Sequence, residues 1–246
     1  DGRGLAGESC RVVVTERESG AMEQEFAGRR VVVMGGSRGI GRSTALLFAA
    51  RGAAVSICAR GAGTLEETRR EIAALGGPAH AGVADLSREA DIVRYIPEAA
   101  AALGGIDVLV NNASGFGMSD DEAGWAASLN VDVMAVVRAS HAALPFLEAS
   151  PRERGGGSIV NIASISAMRA SARSAPYGAV KAAVIHYPGS QGKVLARRGI
   201  RANCVAPGSI EFPGGMWEQR RLAGERLYAD TLATIPFGRL GRPEEV

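Results

Sequence analysis

Lysine is almost absent from this 246-residue chain: Lys181 and Lys193 are the only two among 28 basic residues. The bias reads as composition, but it makes each lysine worth a question. Cysteine is scarce too. Cys10, Cys58 and Cys204 are odd in number and far apart, which excludes a disulfide framework and a cysteine-based metal cluster. A reduced, cytoplasmic setting is the default expectation. Neither charge dominates, since 28 basic and 26 acidic residues leave +2. That excludes a strongly basic nucleic-acid binder and an acidic tail. No apolar run approaches the roughly 18 residues of a membrane span. The first 30 residues show no basic stretch leading into an apolar one, so no secretory signal is read. What is plentiful is apolar residue, at 46%, and glycine, at 33 residues. The first supplies a core; the second implies tight turns and close backbone approaches.

Residues 1–28 stand apart as a Gly/Glu/Arg-rich leader, expected to be poorly ordered, whose only apolar run is Val12-Val13-Val14. From Arg29 the chain alternates. Strands are expected at Arg30–Met34, Ala54–Ala59, Ala79–Ala84, Asp107–Val110, Ser158–Ile162 and Arg201–Ala206. Helices are expected at Ser43–Arg51, Thr64–Leu75, Ser87–Leu103, Asp120–Glu148 and Ala175–Arg198. Strands alternating with helices imply βαβ crossovers: an α/β, doubly wound parallel sheet of Rossmann type in a single domain over residues 29–246. The strands are mostly apolar throughout, as strands covered on both faces are.

The first chemical motif is Gly35-Gly36-Ser37-Arg38-Gly39-Ile40-Gly41, directly after a strand and opening a helix. Glycines there let backbone N–H groups approach a pyrophosphate at the positive helix end. The same residues also describe an ordinary glycine-rich βα turn. Dinucleotide units that bind NAD carry an acid about 20 residues further on, for the ribose 2′-hydroxyl. Here the second strand ends in Ala59-Arg60, with no acid. Arg38 and Arg60 suit a 2′-phosphate instead, so NADP(H) is the expected cofactor. Tyr177-Gly-Ala-Val-Lys181 places a lysine one helical turn from a tyrosine, where it favours the phenolate and makes a general acid/base. Alone, that spacing is also a surface helix pair. Ser164 ends the preceding strand.

Together these pieces resemble the short-chain dehydrogenase/reductase family, most closely its 3-oxoacyl-reductase-like members. The matching residues are Gly35-x-x-x-Gly39-Ile40-Gly41, Asp85-Leu86, Asn111-Asn112-Ala113, Ile159-Val-Asn-Ile-Ala-Ser164, Tyr177-x-x-x-Lys181 and Pro207-Gly208. Each is weak alone, but six in that order are specific. The resemblance implies that Ser164 bonds the substrate carbonyl, Tyr177 exchanges the proton, and Lys181 binds the nicotinamide ribose and supports the tyrosine. It implies that Asp85 and the Leu86 backbone meet the adenine, and that Asn112 and Ala113 line its ribose. Pro207, Gly208 and Ile210 then flank the nicotinamide. The expected partners are a small carbonyl or alcohol and, from the family, further copies of the chain. A metal, nucleic acid or membrane is not expected. The alternative is a dinucleotide-binding protein with little or no turnover. An enoyl-reductase relative would need a tyrosine at Ser174, and is rejected.

Several residues depart from the family pattern. Met34 replaces a threonine before the first glycine, and Ser114 replaces the glycine after Asn-Asn-Ala. The proton-relay asparagine falls at Asp132; Asn130 lies two positions away, roughly 200° round an α-helix. Asp132 would set a negative charge near Lys181 and Tyr177. Pro188, with Gly189 and Gly192, predicts a kink or break after Tyr187. A substrate loop is expected at Glu211–Tyr228, with Phe212, Met216 and Trp217 as an apolar wall. Gly241–Val246 reads as a helix start with Pro243 in its first turn. The family's seventh strand is missing, so the sheet is expected in order 3-2-1-4-5-6 with the sixth strand unpaired outside.

Overall fold

A computed structural model describes residues 24–246. Its strands are β1 (Arg30–Met34), β2 (Ala54–Ala59), β3 (Ala79–Val83), β4 (Val108–Asn111), β5 (Gly157–Ile162) and β6 (Ile200–Val205). They form one six-stranded sheet in the order β3-β2-β1-β4-β5-β6, as expected, with every pairing parallel. The leader lies outside the described residues as far as residue 23. Residues 24–28 form a turn from which Phe26 packs edge-on against Phe48, with ring centroids 4.8 Å apart.

The central strand shows why its sequence is apolar at every position. Val31 and Val33 point into a layer with Ala45, Ala49, Leu65 and Ile72. These come from α1 (Gly39–Ala50) and α2 (Ala62–Ala74). Val32 and Met34 point the other way, toward Ile92, Tyr95, Ile96, Ala139 and Leu147, carried by α3 (Glu89–Leu103) and α5 (Ala135–Glu148). Successive strand side chains alternate in face, so burial of both faces demands an unbroken apolar run. At the sheet's end β6 alternates between covered and exposed positions, as an outer strand does. No helix among the described residues is long and apolar enough to cross a membrane.

Two helix expectations need correction. The single helix expected over 120–148 is three segments: α4 (Glu122–Ser128), a π-helical stretch Leu129–Met134, and α5. The break expected after Tyr187 is absent, because α6 runs continuously from Ala175 to Leu195. An interior proline removes one hydrogen bond and costs about 3 kcal/mol in an exposed helix. Here Val180, Val184, Pro188 and Leu195 are all buried, and that packing holds the helix across the gap. Interior prolines in α3 (Pro97) and α5 (Pro145) are carried the same way.

The base of the sheet is bolted by Asp107, just before β4. Its carboxylate accepts from the Arg30 backbone N–H and Nε at 2.8 Å each, from Arg30 Nη2 at 2.7 Å and from Ser150 Oγ at 2.6 Å. Burial pushes this carboxyl up, but the bonds from Arg30 and Ser150 hold it down at about 2. A carboxyl lowered from 3.8 to about 2 contributes roughly 2–3 kcal/mol of stability at neutral pH. That contribution is present above the unfolded value and lost as pH falls through the folded one. Asp107→Asn is therefore expected to lower the urea-unfolding free energy by about 2–3 kcal/mol at pH 7. The gap from the parent should close as pH falls from about 4 to about 2; a gap of constant size across that range would contradict the assignment.

Candidate active site

The glycine-rich turn leaves β1 and enters α1. Gly35 and Gly36 donate to the Cys58 carbonyl at 3.0 Å each, and Gly35 takes φ +83°. Asn112 Nδ2 donates to the Gly35 carbonyl at 2.8 Å. A Cβ on Gly41 would run into that carbonyl and into Asn112 Nδ2, and one on Gly35 would come within 2.9 Å of Ala113. The glycines thus let the turn close onto Asn112 and Ala113. Arg38 is the N-cap of α1 but makes no side-chain cap bond, and the first turn holds no acid. The helix's leading N–H groups, Ser37 and Ile40 beside them, are left for an anionic ligand, so the turn fits a dinucleotide pyrophosphate.

Arg60 is exposed where β2 ends. Asp85 follows β3; Ser87 donates to it through Oγ at 2.8 Å and through its backbone N–H at 3.0 Å. Those bonds, with the charges of Arg60 and Arg88, hold Asp85 below the usual carboxylate range. Leu86 turns its side chain into the core, leaving its backbone at the edge. Beyond β6, the Pro207 carbonyl accepts from Ile165 N at 3.0 Å, Gly208 follows it in the loop, and Ile210 bridges to Gly241.

Ser164 caps a short turn (Ile165–Ala167) after β5, its Oγ accepting from Ser166 N at 3.1 Å. Gly178 sits on the Ser166 carbonyl, where a Cβ would come to 3.0 Å, and so brings this turn against the first turn of α6. Tyr177 is half-buried there. Lys181, one turn on, is 2% exposed. Its Nζ donates to the Ile162 carbonyl at 2.8 Å and lies 5.7 Å from the centre of the Tyr177 ring. It also lies 2.9 Å from Asp132 Oδ1. The aspartate is 1% exposed, and its Oδ2 accepts from Gly115 N at 2.9 Å. Oδ1 is not aligned for a hydrogen bond, so its charge is matched while its lone pairs are not. Asn130 is exposed and takes no part.

Sequence reasoning missed two features. One is the π-helical stretch that carries Asp132; nothing in its residues announces it, although such bulges occur often at functional sites. The other is a buried amide network. Asn111 Nδ2 donates to Asn161 Oδ1 at 2.8 Å, and Asn161 Nδ2 to Gln191 Oε1 at 3.5 Å. Asn111 and Asn161 are register partners on β4 and β5, and Gln191 lies on α6. Two polar residues near the ends of apolar strands are the signal that could have pointed to it.

The expected substrate loop is only partly as foreseen. It folds into α7 (Met216–Leu222) and α8 (Arg226–Ala233). Phe212 borders the cleft beside the glycine turn. Its ring lies on Gly39, 2.7 Å from where a Cβ there would stand. Trp217 instead meets Tyr228, with centroids 6.4 Å apart, and Arg220. A cleft of about 680 Å³ opens beside the glycine turn, edged by Arg38, Arg42, Phe212, Tyr228 and Arg242.

A family model described as short chain dehydrogenase matches residues 29–222. The cis-4-hydroxycyclohexanecarboxylate dehydrogenase of Sinomonas cyclohexanicum is 37% identical, over 92% of this chain and 88% of its own. The 3-oxoacyl-(acyl-carrier-protein) reductase FabG of Thermotoga maritima is 34% identical, over 89% of this chain and 87% of its own. Among solved structures, the RhlG/NADP active-site complex of Pseudomonas aeruginosa matches with a TM-score of 0.80 at 35% identity. That match covers 91% of this chain and 89% of the other.

Asp132 yields a direct test. In Asp132→Asn an amide oxygen still accepts from Gly115, but Lys181 loses its counter-charge. Unpairing a buried charge is strongly destabilising, by about 3–5 kcal/mol at the extreme. The variant is expected to unfold at lower urea, yet to reduce carbonyls faster than the parent at pH 7, because the ammonium's field on Tyr177 is no longer offset. Slower turnover at unchanged cofactor affinity would mean that the carboxylate itself takes part in proton movement.

Proposed function

Because the chain belongs to the short chain dehydrogenase family, whose members are oxidoreductases using a nicotinamide dinucleotide, we propose that it is an NADP(H)-dependent enzyme for a small carbonyl or secondary alcohol. The observation that carries this reading is Lys181, buried beneath the half-open Tyr177 ring and held by the Ile162 carbonyl. The cofactor, when bound, supplies or accepts the hydride.

The chain's own residues do the rest. Ser164 Oγ accepts from Ser166 N and keeps its own proton to donate to a substrate carbonyl oxygen. Tyr177 gives that oxygen a proton as hydride arrives at carbon, or takes it back in oxidation. Lys181 stabilises negative charge on the phenol and holds the nicotinamide ribose. Asp132 moderates that charge and anchors the Gly115 loop. Gly35, Ser37, Gly39, Ile40 and Gly41 hold the pyrophosphate, with Asn112 and Ala113 on the adenosine ribose. Asp85 and Leu86 meet the adenine, and Pro207, Gly208 and Ile210 flank the nicotinamide. Arg38 and Arg60 select the 2′-phosphate. The relatives' names divide between a cyclohexane alcohol and a 3-oxoacyl group, and either falls within this reading. The free thiols of Cys58 and Cys204 suit a cytoplasmic setting. An apolar hollow of about 240 Å³ between α5 and α6, lined by Val136, Val137, Val184 and Tyr187, is where we place self-association.

A second reading, dinucleotide binding with little turnover, is favoured by one observation: the Asp132–Lys181 pair spends part of the lysine's charge on a carboxylate. Two measurements separate them. NADPH is expected to exceed NADH in kcat/KM by at least about tenfold, which needs only about 1.4 kcal/mol. Arg60→Asp should move the preference toward NADH; equal values for the parent would remove the assignment of Arg38 and Arg60. Tyr177→Phe is expected to keep NADPH affinity but lose at least about a hundredfold in kcat. Normal turnover in that variant would refute the role given to the phenol.

A further inference from the structure

Phe116 adopts a backbone conformation that phenylalanine avoids. Its φ is +48°, and no other non-glycine residue among the described residues has a positive φ. Left-handed backbone is unfavourable for a residue with a Cβ, so neighbouring structure must impose it. The surroundings show how. Gly115 N is held by the Asp132 carboxylate at 2.9 Å, and Phe116 N donates to Ser114 Oγ at 3.2 Å. Ser128 Oγ donates to the Gly117 carbonyl at 3.2 Å. The glycines on either side lie flat on α4, where a Cβ would run into the carbonyl oxygens of Ala127 and Gly124. The loop is clamped from both sides, and the one side chain between the glycines is forced outward.

That side chain stacks on Tyr177. The ring centroids are 5.8 Å apart and the planes 14° from parallel, an offset-stacked pair. Phe116 nevertheless stays 50% exposed, so one part of its ring braces the phenol while the rest faces solvent. Apolar groups left open this way beside a reactive hydroxyl are unusual for a residue that merely fills a core.

We propose that Phe116 is a specificity-determining residue whose open surface receives the body of a cyclic ketone or cyclic secondary alcohol; this rests on the oxidoreductase reading above. A substrate whose oxygen meets the Tyr177 hydroxyl must lay the groups on its carbonyl carbon alongside Phe116. A six-membered carbocycle offers a rigid apolar face of about the width of a benzene ring and loses no internal rotations on docking. A linear chain of equal carbon number brings similar apolar surface but must freeze several bonds to lie on the same flat wall. Ser114 and Asp132, which hold the loop's backbone, act as positioning residues for the wall.

The test compares cyclohexanone with 2-hexanone, both with NADPH, using the full chain and Phe116→Gly, Phe116→Ala and Phe116→Tyr. The parent should favour cyclohexanone in kcat/KM by at least about tenfold. Phe116→Gly and Phe116→Ala should raise KM for cyclohexanone about tenfold, with 2-hexanone changing less than about twofold. Phe116→Tyr should keep the parent's preference. Glycine suits the φ of +48°, so Phe116→Gly should melt no lower than Phe116→Ala, which separates loss of the wall from loss of fold. A parent that prefers 2-hexanone, or variants that lose kcat equally on both ketones, would overturn the inference while leaving the oxidoreductase reading intact. No NADPH consumption with either ketone would overturn both.

Discussion

The buried carboxylate of Asp132 joins parts of the chain that are distant in sequence. One oxygen holds the backbone of Gly115 in the loop after β4, and the other faces Lys181 on α6, whose ammonium is in turn held by the end of β5. Neither charge has water to solvate it, since both residues are at most 2% exposed. Each is tolerable only in the presence of the other, because a lone buried ion costs several kcal/mol. The position of the lysine under Tyr177 and the position of the 114–117 loop are therefore not independent. Moving either would separate the pair, so the places of Tyr177 and of the loop carrying Phe116 are set by one electrostatic constraint.

That constraint is expressed through an irregular helix. A regular α-helix through 129–134 would follow the 3.6-residue period. The π-helical stretch alters the local spacing at the segment carrying Asp132, while Asn130 stays outside. A buried amide network adds rigidity without charge: Asn111, Asn161 and Gln191 join β4, β5 and α6 through hydrogen bonds to one another.

Much of this was legible in the residues because it depends on local chemistry. Apolar runs of the right length marked all six strands, glycine spacing marked the turn into α1, and Tyr177 and Lys181 fell on one helical face. The sheet order followed from the crossover pattern and is the order found. What was not legible depends on tertiary context. Pro188 predicts a break by its own chemistry, and only the burial of its neighbours keeps α6 whole. That the Phe212 ring lies on Gly39 is likewise set by tertiary packing, because that glycine leaves room. The left-handed Phe116 has no sequence signature, since most of the groups that force it lie on α4 and on the π-helical stretch.

The departures at Met34, Ser114 and Asp132 look, in the sequence, like separate losses: a hydroxyl, a flexible glycine and a neutral amide. In the folded chain each is answered locally. Met34 is buried, and the Cys58 thiol, pushed up to about 12 by burial, stays protonated against its sulfur at 3.9 Å. The turn it precedes is secured by backbone bonds to Cys58 and by Asn112. Ser114 uses its hydroxyl to hold Phe116 N, and Asp132 holds the intervening Gly115. The last two departures fall on consecutive backbone groups of one loop. A glycine at 114 would release Phe116 N, and a residue at 132 unable to accept a hydrogen bond would release Gly115. Their combined effect is to fix the loop that presents Phe116 to Tyr177, so the two departures act together on one local structure.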